Sequence, residues 1–513
     1  MLDLSRFSPE QRRAVTAGEG PLMVVAGPGS GKTTVLAARI AYLVALHGVS
    51  PTSILALTFA TKAARELRER LAGVLGEAGR WVEVATFHAF GLRVVRHWAE
   101  ELGFRSGPLA VPSPGEATAL LREAAQVAGW DLQRISLADL AALFRRHRLG
   151  KGTGRPPRVA QRLSQTLAAY EALLRRRGAV DYPAMLSLPL ALFAGRPDAL
   201  RLYQDAYRHV IADEFHDVCP AQYVLLRHLA ARHRNLAVVA DPCQAIYGWR
   251  GADVGLLARF QVDFPEARAL GLSQNFRSSG RIVALANALG AGLPYHRPLW
   301  TDNPPGGPAL LHVALDAGAE AAFVAGEVAR LLADGGISHP GEAAVLYRAN
   351  WQAEALAVAL GERHIPYRRQ GTAPRAPRPR PHRTQSLEIG GEDAEQEEWP
   401  GDPGEASGLD GAAANRAVTL STVHAAKGGE WRVVFLVGAE EGILPDARAG
   451  DDASPEGDGL EEERRVAYVA VTRPRERLYL SRCRGRRHGG SAEPRLPSRF
   501  LRGLPVEPWQ HAA

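Results

Sequence analysis

The chain has 513 residues, 46% hydrophobic and 23% charged, a globular composition too long for one core, so two to four domains are expected. No apolar run is long enough to span a bilayer, and the start, MLDLSRFSPEQRR, has no signal-peptide core; three cysteines without a CxxC pair (Cys219, Cys243, Cys483) argue against zinc or disulfide frameworks, so a cytoplasmic protein is expected. The formal charge of +7 suits an anionic partner such as nucleic acid.

In chain order, short β-branched runs at Leu22–Ala26, Ile54–Thr58, Val82–Thr86, Val210–Asp213 and Leu236–Ala240 read as buried strands. Ala/Leu/Arg-rich helical patterns separate them, which is the rhythm of a parallel α/β sheet. Between residues 96 and 197 the rhythm changes. Ser113, Pro114 and Glu116 form a helix start with a capping box, and Leu120, Leu121, Ala124, Val127 and Ala128 recur at helical spacing. That region reads as a helical insertion. A second strand set follows at Ala309–Val313, Ala343–Tyr347, Val418–Ser421, Val433–Val437 and Leu478–Ser481. The stretch 373–414, proline-rich, with a basic and an acidic half and almost no aliphatic residues, is expected to be a disordered linker. A second acidic loop is expected over Asp446–Glu463.

The strongest local signal is AGPGSGKTT, running through Ala26, Gly27, Pro28, Gly29, Ser30, Gly31, Lys32, Thr33 and Thr34 between a strand and a helix. The glycines let backbone N–H groups wrap phosphates at a helix N-terminus, Lys32 would reach the β- and γ-phosphates, and Thr33 would ligate Mg²⁺. VIADEFHD places Asp213 and Glu214 at a strand end. Such a pair suits metal-assisted phosphoryl transfer, with Asp213 on Mg²⁺ and Glu214 activating water. Of 62 basic residues only four are lysines, and Lys32, Lys62 and Lys427 fall inside motifs, where a compact ammonium differs from an arginine fork.

DEFHD resembles the DEFQD box of the UvrD/Rep/PcrA helicases, and other boxes stand in order: FSPEQ, LALTFATKAARELRERL, VATFHAF, AVDYPAML, VVADPCQAIYGWRGAD, LSQNFRSS, AAVLYRAN, TLSTVHAAKGGEW, EEERRVAYVAVTR and PSRFL. The resemblance implies an ATP-dependent DNA helicase of α/β class. It implies two RecA-like P-loop domains, 1–95 with 198–283 and 284–372 with 415–513, the helical insertion at 96–197 lying in the first. It also implies roles. Gln11 would read adenine, Phe276 stack on it, Arg39 lie beside it and Glu430 hold the ribose. Gln244 would sense the γ-phosphate, and Arg277 and Arg473 would be arginine fingers. Thr58, Phe59, Thr86, Phe87, His88, Tyr247, Trp249, Arg250 and His424 would line the path of a single DNA strand.

Departures from the family pattern bear on these expectations. His216 replaces a glutamine, Phe276 a tyrosine and Gly429 a leucine, and Pro242-Cys243 is a further substitution. The large helical accessory domain that family members insert in the second motor domain has no counterpart, the chain running from YRRQGTAPRAP through 373–414 to the VHAAKG box. The partners expected are single-stranded DNA and single/double-strand junctions, 3′-to-5′ polarity following from the resemblance alone, with a protein that supplies unwinding or targeting and no membrane. Two other readings stay open: a translocase that remodels DNA without separating strands, and an ATP-gated binding adaptor. RNA as the track stays open too.

Overall fold

A computed structural model describes residues 3–104, 107–148, 156–370, 416–450, 459–488 and 491–509. The expected linker at 373–414 lies outside the described residues.

Six strands form the first sheet: β1 Leu22–Ala26, β2 Ile54–Thr58, β3 Glu83–Thr86, β4 His209–Ala212, β5 Leu236–Ala240 and β6 Arg268–Leu272. All pairs are parallel, in the order β3-β2-β4-β5-β1-β6. The central strands β2 and β5 are buried along their whole length, the continuous apolar run that a sheet covered on both faces requires. One face packs on the helices Lys32–His47 and Thr61–Leu75 through Val35, Leu36, Ala64, Leu67 and Leu71. The other packs on Phe87, Phe90, Leu225, Leu226 and Phe260. The loop after β1 and the acidic pair after β4 therefore both open at the carboxyl edge, where parallel α/β sheets bind ligands.

Between β3 and β4 the described chain is helical. Helices Pro114–Val127, Leu137–Arg148 and Pro157–Arg176 share a core of Leu120, Leu140, Phe144, Leu163, Tyr170 and Leu174. The Ser113–Glu116 capping box forms as expected. Val127 does not join this core: it is 73% exposed, Ala125 is buried instead, and Ala128 caps the helix. Arg148 grips Asp181 with two bonds, of 2.5 and 3.0 Å.

The second sheet holds β7 Ala309–Ala314, β8 Ala343–Tyr347, β9 Tyr367–Gln370, β10 Val418–Thr422, β11 Trp431–Leu436, β12 Pro474–Cys483 and, past the antiparallel hairpin of β13 Gly485–His488 and β14 Ser491–Pro494, β15 Val506–Pro508. Its order is β15-β7-β12-β11-β8-β10-β9, again parallel throughout. The strand expected at Leu478–Ser481 is longer at both ends. The acidic loop expected over Asp446–Glu463 is helical from Gly459, because the helix Gly459–Val471 takes Glu461 and Glu462 into its first turn, where carboxylates favour the N-terminal dipole.

Candidate active site between the two sheets

The loop after β1 is held open by backbone and side-chain bonds from three directions. Gly29 and Gly31 have φ of 70° and 80°, a region glycine enters without the clash a Cβ brings. A Cβ on Gly29 would also lie 2.7 Å from Asn275 Nδ2. That amide donates to Pro28 O (2.9 Å), the Phe276 N–H to Gly29 O (2.9 Å) and the Gly27 N–H to Leu272 O (3.1 Å). Gln11, fixed by its capping box with Ser8, donates through Nε2 to Ser30 O at 2.9 Å. Lys32 Nζ lies 3.3 Å from Ala26 O, Gly27 O and Asp241 Oδ2. Thr33 is half-buried, while Thr34 is exposed and accepts a bond from Arg70.

The acidic pair sits one strand away from β5. Asp213 follows β4 and is anchored by its N–H to Leu57 O at 2.9 Å. Glu214 turns back in the left-handed region, φ 50°, its N–H on Asp213 Oδ1. Burial, then the charge of Glu214, pushes the Asp213 carboxyl up to about 7. Glu214 Oε2 is buried and makes no hydrogen bond. Two neighbouring carboxylates, at Asp213 and Glu214, are a donor set suited to a divalent cation, with the Thr33 hydroxyl as a further oxygen ligand.

His216, in the place of the family's glutamine, is fully buried. Its Nδ1 accepts the Asp241 N–H at 2.9 Å, so the ring proton sits on Nε2. That atom is 3.4 Å from Glu214 Oε2 and 3.0 Å from Lys427 Nζ. Burial first, then Lys427, holds His216 well below the usual histidine range, so the ring is neutral. Lys427, from the turn after β10, also bonds Asp217 Oδ2 (2.5 Å) and Gln244 O (2.7 Å).

Arginines from both sheets meet here, Arg473 just before β12, Arg475 at its start and Arg277 in the loop after β6. Arg473, 2% exposed, donates to Gln244 Oε1 at 2.8 Å and to Val469 O at 2.9 Å. Burial lowers its guanidinium to about 9. Gln244 Nε2 in turn bonds Asp241. Lys32, Asp241, Gln244 and Arg473 thus form one line across the cleft. Arg277 pairs with Glu430 at 2.5 Å, and Arg475 with the same carboxylate. Asp241 and Asn275 are the residues sequence reasoning missed; both stood inside quoted boxes, Asp241 at the end of β5 where a ligand-facing carboxylate is expected.

Several residues expected along a strand path gather beside this line. Phe59 stacks on Tyr247, centroids 5.2 Å apart at 17°. Arg250 lies 4.6 Å over Trp249, and Tyr247 donates to His424 O at 3.1 Å. Trp249 is 50% exposed. Thr58 is buried and donates to Ala60 O; Thr86 caps the helix Phe87–His97 by accepting from Ala89 N–H. His88 packs edge-on against Tyr182 at 5.4 Å. Phe87 stands apart: at 1% exposure it belongs to the core. Arg39 stands apart too. Its buried guanidinium donates to the carbonyls of Ala14, Val15, Ala17 and Gly18, which leaves it clamping the end of the helix Pro9–Val15.

The model of the UvrD/REP helicase N-terminal domain matches residues 7–265, and that of the UvrD-like helicase C-terminal domain residues 405–485. The chain belongs to the UvrD/REP helicase family. Relatives include the ATP-dependent DNA helicase PcrA of Staphylococcus epidermidis, 27% identical over 98% of this chain and 87% of the relative. The ATP-dependent DNA helicase UvrD1 of Mycobacterium tuberculosis is 29% identical over 99% of this chain and 86% of the relative. The enzyme class expected from the motifs, an ATP-hydrolysing helicase, is the class of this family. The alignment to PcrA spans 641 positions, more than the 513 residues present, so stretches of the relative have no counterpart here. Among the described residues no helix is long and apolar enough to cross a membrane.

Proposed function

We propose that this UvrD/REP-family chain uses ATP hydrolysis to move 3′-to-5′ along single-stranded DNA. The observation that carries the reading is the line Lys32–Asp241–Gln244–Arg473, because it joins the phosphate loop of one sheet to an arginine of the other. The nucleotide would lie on the loop with its base beside Gln11 and Phe276, and Lys32 would exchange its carbonyl and Asp241 contacts for the β- and γ-phosphates. Thr33 and Asp213 would hold Mg²⁺, which would supply neutralisation of the phosphate charge when bound. Glu214 Oε2 takes the proton of the attacking water. Arg277 and Arg473 stabilise charge on the transferred phosphoryl, Arg277 first releasing Glu430. Gln244 then changes partners, and the loop it stands on carries Tyr247, Trp249 and Arg250 to the strand. We take residues 1–95 with 198–283 as the first motor domain, 96–197 as its insertion, and 284–372 with 415–513 as the second.

A second reading is favoured by one observation, the stretches of PcrA absent here: a translocase that separates strands poorly alone and acts at junctions with a protein partner. The test is ATP turnover with and without single-stranded DNA or RNA, beside displacement of a protein block from 3′- and 5′-ended strands. DNA-stimulated turnover with 3′-to-5′ displacement supports the reading. Turnover indifferent to nucleic acid overturns it.

A further inference from the structure

The loop after β5 meets the helix Gly459–Val471 at both ends of that helix. Beyond its C-terminal end, Arg473 bonds Gln244 at 2.8 Å. In its first turn, Glu462 Oε1 accepts the backbone N–H of Gly248 at 3.2 Å. Between those points Cys243 and Ile246 share one apolar cluster with Val466, Ala467 and Ala470. The loop leaves the first sheet yet is packed into the second, so it cannot follow one without answering to the other.

Gly248 opens the short turn Gly248–Arg250. The turn closes on itself through the Gly251 N–H to Gly248 O at 2.9 Å, and it points Trp249 outward with Arg250 across its face. The side chain of Glu462 fills the space in front of Gly248: a Cβ there would lie 2.7 Å from Glu462 Oε2. Glu462 is half-buried, and burial pushes its carboxyl above the ordinary range. Among the described residues the hydrogen bond of this half-buried carboxylate goes to the turn that carries the exposed tryptophan.

We infer that Glu462 is a positioning residue, holding the Trp249 turn to the helix that leads to Arg473, so that displacement of this helix by nucleotide moves the stacking platform. Glu462 acts through Gly248, and the inference rests on the strand-coupled ATPase proposed above.

The experiment compares Glu462→Ala, Glu462→Gln, Gly248→Ala and the Glu462→Ala/Gly248→Ala double variant with the wild-type full chain. Readouts are kcat for ATP without and with saturating oligo-dT, the oligo-dT concentration for half-stimulation, and the melting temperature. Glu462→Ala is expected to lower the stimulated kcat by about tenfold, the lower end of the scale for one lost hydrogen bond to a charged group, with the unstimulated rate and melting temperature kept. Glu462→Gln keeps an acceptor oxygen and is expected to restore most of the stimulation. Gly248→Ala crowds the same carboxylate and is expected to mimic Glu462→Ala, while the double variant is no worse than Glu462→Ala alone. Stimulation of Glu462→Ala at the wild-type level overturns the inference. So does equal loss of stimulated rate, unstimulated rate and melting temperature in Glu462→Ala and Glu462→Gln, which marks a plain structural role. A wild-type chain that oligo-dT does not stimulate overturns the functional reading itself, and is told apart by that control.

Discussion

Glu214 and Arg39 show how one residue's surroundings decide its use. Glu214 is held in a left-handed backbone conformation with one carboxylate oxygen buried and unbonded, a cost that a folded protein retains where the strain serves a site. Glu214→Gln removes the base and leaves Lys32 and the loop untouched. Turnover is expected to drop by about 10²–10⁴-fold with ATP affinity retained, measured by steady-state hydrolysis beside nucleotide binding; hydrolysis at the wild-type rate would remove Glu214 from its role. Arg39 was expected beside adenine, but its guanidinium serves four carbonyls. Arg39→Gln is expected to cost roughly 2–3 kcal/mol of stability through unpaired buried carbonyls, leaving the KM for ATP within about twofold in the fraction that folds. A tenfold rise in KM with an unchanged melting curve would return Arg39 to the nucleotide.

At the scale of elements, burial separates residues that one motif runs together. Phe87 and Trp249 were both expected on the strand path, yet one is 1% and the other 50% exposed. Phe87 lies on the buried side of the helix Phe87–His97, facing Phe90 and Val94 in the core. Phe87→Ala is therefore expected to cost about 3–5 kcal/mol of stability. Trp249→Ala is expected to weaken oligonucleotide binding by roughly 1–3 kcal/mol with little change in melting temperature. Parallel melting and fluorescence titrations decide between them, and a reversed pattern would reassign both. The two histidines expected on that path carry a second expectation. Burial lowers His88 to about 4 and His424 to about 3, so both are neutral throughout the neutral range. Strand affinity at constant ionic strength is expected to show no histidine step between about pH 6 and 8. The sign for stability follows from the same shifts: below pH 6.5 the unfolded chain takes up protons these two rings refuse, so their contribution falls as pH drops toward 4. Affinity that climbs as the pH falls from about 8 to 6 would show that one of them becomes charged against the strand.

For the whole molecule, the coupling parts and the missing parts point to different outcomes. The line from Lys32 to Arg473 and the contacts of Lys427 with Asp217 and Gln244 tie the sheets across the cleft, which is what stepwise movement needs. The PcrA alignment shows segments without counterpart here. The isolated chain is therefore expected to displace a protein block from single-stranded DNA while unwinding a 3′-tailed duplex of about 40 base pairs at least tenfold more slowly than it translocates, the factor that an unassisted strand-separation barrier of roughly 1.4 kcal/mol per base-pair step imposes. Efficient unwinding of such duplexes by the monomer would contradict this.

Much of the architecture was legible because continuous apolar runs and glycine punctuation are local properties. β1, β2, β5 and β8 fall where their sequences place them, since a strand buried on both faces cannot hide its composition. The edge strands β6 and β9 were not legible: RALGL and YRRQ are half-exposed and lack that signal. The site divides in the same way. The phosphate loop and the Asp213–Glu214 pair are short, contiguous and chemically demanding, so the chain order alone announces them, and family membership followed from the order of the boxes.

What the tertiary structure decided is partnership. Asp241 meets Lys32 across 209 residues and Gln244 meets Arg473 across 229; no spacing rule reaches so far. That Arg39 clamps a helix end, that Phe87 fills the core, and that Glu462 holds the turn bearing Trp249 depend on which face each backbone presents and on which element packs there. Residue type and local pattern state what a side chain is able to do; burial and the neighbour supplied by a distant segment settle which of those things it does.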